Sequence, residues 1–199
     1  GEKLNYRVDL AKLGLTDELI QTLSGITIIG CGSAYHVGAT AQYVIEDLAK
    51  LPVRVEFASE YRYRHPVIDQ NNLVVVISRS GETADTLAAM REAKAQGLKT
   101  LAIVNVIGSV IAREADFVLY TYAGPEISVA TTKAYSTQLI GVYMLAICLG
   151  KARGLIDERE EQRLLSEIAA LPEKVQRIIA DKERLQWFAA KFSNAKDVF

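Results

Sequence analysis

Five short runs of apolar, largely β-branched residues recur along the chain, and helical patterns separate them. They fall at about 26–30, 53–57, 73–77, 100–104 and 117–121. The spacing predicts helices over about 34–50, near 59–64, over 84–96 with Gly97 just past the end, and in a short stretch after Gly108-Ser109. Strands that are apolar on both faces and alternate with helices require a parallel sheet covered on two sides. The expected fold class is therefore α/β, with right-handed crossovers and ligands bound at the carboxyl ends of the strands, near a topological switch point.

After Thr131 the character changes. A long, strongly apolar helix is expected over 132–150, packed on the sheet or in a subunit interface. Charged amphipathic helices follow at about 157–170, 172–181 and 182–192, with Leu164, Leu165, Ile168, Val175, Ile178 and Ile179 at helical spacing and Pro172 near a helix start. This gives residues 1–153 as the α/β unit and 154–199 as C-terminal helices, with no internal repeat. Ala195-Lys196-Asp197-Val198-Phe199 reads as the beginning of another strand, which makes a longer parent protein the expectation.

The most informative local motif is Ser78-Arg79-Ser80-Gly81-Glu82-Thr83, between the third run and its helix. The first-turn amides of a helix have no intrahelical partner, and the helix dipole adds partial positive charge. Ser78, Ser80 and Thr83 add hydroxyl donors without net charge. That chemistry suits a phosphate monoester better than a polyphosphate, which recruits Lys and Mg²⁺. The competing reading is ordinary helix capping, which one hydroxyl would satisfy.

Two further loops share this character. Gly30-Cys31-Gly32-Ser33-Ala34 closes the first strand, but Tyr35 stands where a dinucleotide fingerprint wants Gly or Ala, and no P-loop motif occurs. No cofactor is expected. Cys31 at a helix start is a candidate nucleophile, and the competing reading is a small thiol lining a loop. The third loop, Gly124-Pro125-Glu126-Ile127-Ser128-Val129-Ala130-Thr131-Thr132-Lys133, enters the long helix. Thr131 or Thr132 is its natural cap, and Lys133 either faces a ligand or is solvated.

Composition narrows the partners. The chain has 199 residues, 50% hydrophobic and 24% charged, enough for one full core. A net charge of -1 without a basic stripe gives no reason to expect nucleic acid or an anionic membrane. Cys31, Cys148, His36 and His65 form neither a disulfide framework nor a metal-ligand pattern, so no metal is expected. No apolar run is long enough to span a bilayer, and the cytoplasm is the expected compartment.

At these loops the chain resembles the sugar isomerase (SIS) domain family. More narrowly, it resembles the isomerase part of the glutamine:fructose-6-phosphate amidotransferases, the family that makes glucosamine-6-phosphate. The resemblance is carried by Cys31-Gly32-Ser33-Ala34-Tyr35-His36, by Ala58-Ser59-Glu60-Tyr61-Arg62-Tyr63-Arg64, by Ser78-Arg79-Ser80-Gly81-Glu82-Thr83-Ala84-Asp85-Thr86 and by the 124–135 loop. It runs from about 26 to 137 and weakens through the C-terminal helices. It implies a flavodoxin-like αβα sandwich on a five-stranded parallel sheet. It implies that Ser78, Ser80 and Thr83, with backbone from Arg79, hold the phosphate of fructose-6-phosphate or glucosamine-6-phosphate. Cys31, Gly32, Ser33, Val129, Ala130 and Thr131 would line the sugar. A homodimer, a glutaminase domain and a second SIS half are the implied partners. The family draws its proton-moving Glu, Schiff-base Lys and ring-opening His from that second half, and no residue here matches them.

Two departures stand out. The family usually has Thr-Ser where this chain has Ser33-Ala34, and Gln where Arg79 stands. The expectation is that Arg79 restores anion affinity by its charge. Two other readings remain open at this point. One is a sugar-phosphate sensor without catalysis. The other is an independent dimeric isomerase using Glu60, Glu82 or Glu126 as its base.

Overall fold

The computed structural model describes residues 6–8, 10–127 and 131–197. The five apolar runs form one all-parallel sheet: β1 (Gly25–Gly30), β2 (Val53–Phe57), β3 (Asn72–Ser78), β4 (Lys99–Val104) and β5 (Phe117–Tyr120), in the order β2-β1-β3-β4-β5. This is the expected flavodoxin-like order, and its switch point lies between β1 and β3. Each predicted strand is found within one residue at either end.

Helices follow the strands as the spacing predicts. They are α2 (Ser33–Ala49), α3 (Ala58–Arg64), α4 (Ala84–Ala95), α5 (Val110–Glu114), α6 (Lys133–Ala152), α7 (Glu158–Ala169), α8 (Leu171–Ala180) and α9 (Lys182–Ala190). A 3₁₀ turn (Leu10–Leu13) and a short helix α1 (Asp17–Thr22) precede β1, and sequence reasoning did not foresee them. Thr16 caps α1 by accepting from the Leu19 amide, and Ile20 is its buried residue. Residues 195–197 form no strand, and Val198 and Phe199 lie outside the described residues.

The period-two alternation of the strands divides the core. Ile26, Ile28, Leu73, Val75, Ile77, Leu101 and Ile103 face one way, against Val37, Ala41 and Ile45 of α2 and Val142, Leu145 and Leu149 of α6. Ile29, Val74, Val76, Ala102 and Val104 face the other way, against Tyr61 of α3, Ala89, Met90 and Ala93 of α4, and Ile111 of α5. The apolar character of α6 is thus explained inside the chain, by the sheet and α2. The stripe on α8 is not covered: Val175, Ile178 and Ile179 are exposed. Among the described residues no helix is long and apolar enough to cross a membrane.

Asp116 fastens the amino-terminal edge of the sheet. Its carboxylate accepts from the Thr100 amide at 2.9 Å, the Thr100 hydroxyl at 2.7 Å and Lys94 Nζ at 3.1 Å. Burial pushes its pKa up, but the bonds from Thr100 and Lys94 outweigh that and hold it below the usual Asp range. With a folded pKa below the unfolded one, its stabilisation is complete above about pH 4 and fades as pH falls through the folded value. Asp116→Asn should cost about 1 kcal/mol at pH 7, discounted for its solvent-facing side. It should also flatten the acid limb of stability measured by urea unfolding. An unchanged acid limb would show that the carboxylate has no such role.

Candidate functional site

Three loops meet at the carboxyl end of the sheet, and each is fixed by a different local device. The first leaves β1 at Gly30. Gly32 turns it with φ of 55° and ψ of -128°, and α2 starts at Ser33. Cys31 is half-buried, and its Sγ accepts from the Thr86 hydroxyl of α4 at 3.6 Å. His36 is exposed, with its ring edge-on to Tyr35 at 5.5 Å between centroids, and no Cys31–His36 bond exists among the described residues. The thiol therefore reads as a lining group.

The second loop, 78–83, carries the hydroxyls. Ser78 is buried, and its Oγ accepts from the Gly81 amide at 3.1 Å and pairs with Thr83 Oγ1 at 3.0 Å. Ser80 Oγ accepts from the Glu82 amide at 3.2 Å. Thr83 stands at the N-cap of α4, yet its side chain makes no capping bond. The hydroxyl is turned to Ser78 instead, so simple capping does not account for this motif. Only one hydroxyl hydrogen is used between Ser78 and Thr83, so that pair and Ser80 retain O–H donors for a ligand. The first-turn amides of α4, which have no intrahelical partner, begin where this loop ends.

The third loop, after β5, is anchored by Asn105 at the end of β4. Asn105 Oδ1 accepts from the Ala123 amide at 2.8 Å and the Thr121 hydroxyl at 3.1 Å, and its Nδ2 donates to the Gly124 carbonyl at 2.8 Å. The Asn105 amide also donates to the Arg79 carbonyl at 3.2 Å, which ties the second loop to the third. Sequence reasoning missed this residue. Asn after a strand signals a turn, but nothing in the sequence marks its partners.

Two of the three candidate bases have structural partners. Glu82 Oε1 accepts from the Val110 amide at the start of α5 at 2.8 Å. Glu126 Oε2 accepts from the Ala134 amide in the first turn of α6 at 3.0 Å. Of the two Thr candidates for the cap of α6, Thr132 occupies the N-cap position without a side-chain bond, and the Glu126 carboxylate takes the Ala134 amide. Glu60 lies on the exposed side of α3.

Cys31, Ser33, Ser78, Arg79, Ser80, Thr83 and Thr131 line a single pocket of about 150 Å³, with Ala34, Ile77 and Gln138. Gly32 turns the first loop beside it without lining it. Val129 and Ala130 lie outside the described residues. Lys133 is exposed and borders a separate open groove with Glu126 and Ile127, so it does not face this pocket. Gln138 was missed because it sits inside a helix whose strongly apolar character reads as packing. The charged side chain in the pocket lining is Arg79, so the described lining is hydroxyl-rich and cationic.

Residues 19–148 match the SIS domain model. The glutamine–fructose-6-phosphate aminotransferase [isomerizing] of Caldanaerobacter subterraneus subsp. tengcongensis is 48% identical over 193 residues, covering 97% of this chain and 32% of the relative. That of Clostridium acetobutylicum is 47% identical over 192 residues, covering 96% of this chain and 32% of the relative. The chain therefore spans about a third of the length of the curated relatives it matches. The solved C-terminal domain of glucosamine-fructose-6-phosphate aminotransferase from Francisella tularensis superposes with a TM-score of 0.85 at 36% identity, covering 89% of this chain and 50% of that one.

Proposed function

The chain belongs to the SIS domain family, and from that premise we propose that it is the sugar-phosphate-holding half of the isomerase domain of a glucosamine-6-phosphate synthase. The whole enzyme would convert fructose-6-phosphate and glutamine to glucosamine-6-phosphate and glutamate, with a glutaminase domain and a second SIS half supplying the remaining chemistry. Residues 1–153 would form the binding unit and 154–199 the helices that join it to that second half. A homodimer in the cytoplasm belongs to the same proposal, carried by the family resemblance.

The observation that carries the reading is the 78–83 turn: hydroxyls beyond what capping requires, aimed with Cys31, Ser33 and Thr131 into one pocket beside the switch point. In this reading Ser78, Ser80, Thr83 and the backbone at Arg79 hold the phosphate. Cys31, Ser33, Val129, Ala130 and Thr131 surround the sugar, Gly32 shapes the loop that carries the first two, and Arg79 adds charge. Anchoring the non-reacting phosphate places the sugar carbons where another half can act on them. The capping roles of Glu82 and Glu126 support a half that holds its ligand without supplying the base.

Calorimetry tests this on the 199-residue chain. Glucosamine-6-phosphate and fructose-6-phosphate should bind, and Ser80→Ala should weaken both about tenfold or more, the effect of losing one hydrogen bond to a charged group. Binding that Ser80→Ala leaves untouched would move the phosphate off this turn. Absence of binding by the unaltered chain would overturn the proposal that this unit holds the substrate by itself.

A further inference from the structure

Gln138 is the polar member of the pocket to which the proposed function gives no task. It lies in the second turn of α6, on a buried stripe with Ala134, Gly141, Val142 and Leu145. Gly141 shows where that stripe points. A Cβ built there would lie 3.2 Å from Leu119 Cδ2 and 3.6 Å from Ile103 Cγ2, so this face rests on β4 and β5. One turn nearer the start of α6, the same face reaches the carboxyl edge of the sheet. There Gln138 lines the pocket beside Ala34, Ile77 and Ser78.

Only 2% of Gln138 is exposed. Its carboxamide offers two N–H donors and an acceptor oxygen; no hydrogen bond of its side chain is seen among the described residues, and its polar atoms are not among the fully enclosed ones that lack a partner, in keeping with its place in the pocket lining. The neighbours on its stripe are apolar, so Leu or Met would serve the packing as well, and an amide that opens only onto the pocket has its available partners there.

Resting on the sugar-phosphate reading above, we propose that Gln138 reads the sugar and not the anion: its carboxamide exchanges hydrogen bonds with a hydroxyl of the sugar phosphate. A hydroxyl both donates and accepts, which matches an amide's two ends. A phosphate dianion only accepts, so it could use the N–H end of the amide and would leave the oxygen without a donor. The 78–83 turn already offers an anion the O–H donors of Ser80 and of the Ser78–Thr83 pair, whose oxygens take the Gly81 and Glu82 amides.

Gln138→Leu and Gln138→Met in the full chain test the assignment; the unbranched Met keeps the length of Gln should Leu fail to fold. Each should weaken glucosamine-6-phosphate and fructose-6-phosphate about tenfold by calorimetry. Inorganic phosphate, followed by amide shifts in an NMR titration, should hold to within about twofold, since the anion's donors are untouched. The ligand-free melting temperature should stay level or rise, because the substitution breaks no hydrogen bond seen among the described residues and places an apolar side chain against an apolar face. Sugar-phosphate affinity unchanged in a folded variant would overturn the proposal, and so would an equal loss for inorganic phosphate. A lower melting temperature with intact binding would make Gln138 a packing residue and overturn it too. If the unaltered chain binds and Ser80→Ala does not, while both Gln138 variants bind normally, this inference falls and the parent reading stands. If the unaltered chain binds neither sugar phosphate, both fall.

Discussion

Gly81→Ala should abolish sugar-phosphate binding and lower stability by about 2–4 kcal/mol. Two independent causes act at this position. Gly81 has a φ of 67°, where an L side chain is strained by roughly 1–2 kcal/mol. A Cβ there would also lie 2.0 Å from Ser109 Oγ and 2.5 Å from Ser109 Cβ. A rotamer change can move the hydroxyl, but the Ser109 Cβ is fixed to its backbone, so the turn itself must shift. Two bonds shift with it: Gly81 N–H to Ser78 Oγ at 3.1 Å, and the Ile111 amide to the Gly81 carbonyl at 3.0 Å. The first orients a proposed phosphate donor, and the second joins the turn to α5. Adding Ser109→Gly should recover the steric part and leave the conformational part, so the double variant should regain about half of the lost stability in a urea melt. Unaltered glucosamine-6-phosphate affinity in Gly81→Ala would show that the turn's shape does not matter to the ligand.

How much of this was visible in the sequence depends on how far each residue's partners lie along the chain. The strands were legible because runs such as Leu73-Val74-Val75-Val76-Ile77 are buried on both faces and stop at polar or glycine residues. The stop of α4 was legible because Gly97, with φ of 81°, sits just past its end. Helix α1 was not, because it has six residues and one buried side chain, too few to show a period. The carboxylates at the starts of α5 and α6 were hidden for a different reason. Sequence logic looks for a hydroxyl next to the helix, whereas Glu82 reaches an amide 28 residues on and Glu126 one 8 residues on. Asn105 and Gln138 were hidden likewise: one joins two loops that only the sheet order brings together, the other is a lone amide among aliphatic residues. The hydroxyl turn was legible because its chemistry is local, lying wholly between Ser78 and Thr83.

That locality makes Ser78 and Thr83 the sharpest pair for separating an anion site from a helix cap. If the motif were a cap, Thr83→Val should cost about 1 kcal/mol of stability and leave binding alone. Thr83 makes no capping bond, so the opposite is expected: stability within about 0.5 kcal/mol of the unaltered chain, and sugar-phosphate affinity down about 10- to 100-fold. Ser78→Ala should weaken binding by a similar factor. It should also cost about 1–2 kcal/mol of stability, because the Gly81 N–H loses its acceptor in a buried position. The two hydroxyls share a bond at 3.0 Å, so they hold the ligand as a unit. The double variant should therefore bind more tightly than the product of the single losses predicts, by roughly 1 kcal/mol of coupling. Ser80 has no bond to either hydroxyl among the described residues, so Ser80→Ala combined with Thr83→Val should come closer to additivity. Strict additivity for Ser78 and Thr83, read by calorimetry on the single and double variants, would mean that their shared bond does not organise the site. A stability loss in Thr83→Val with binding intact would return the motif to capping and take the phosphate off this turn.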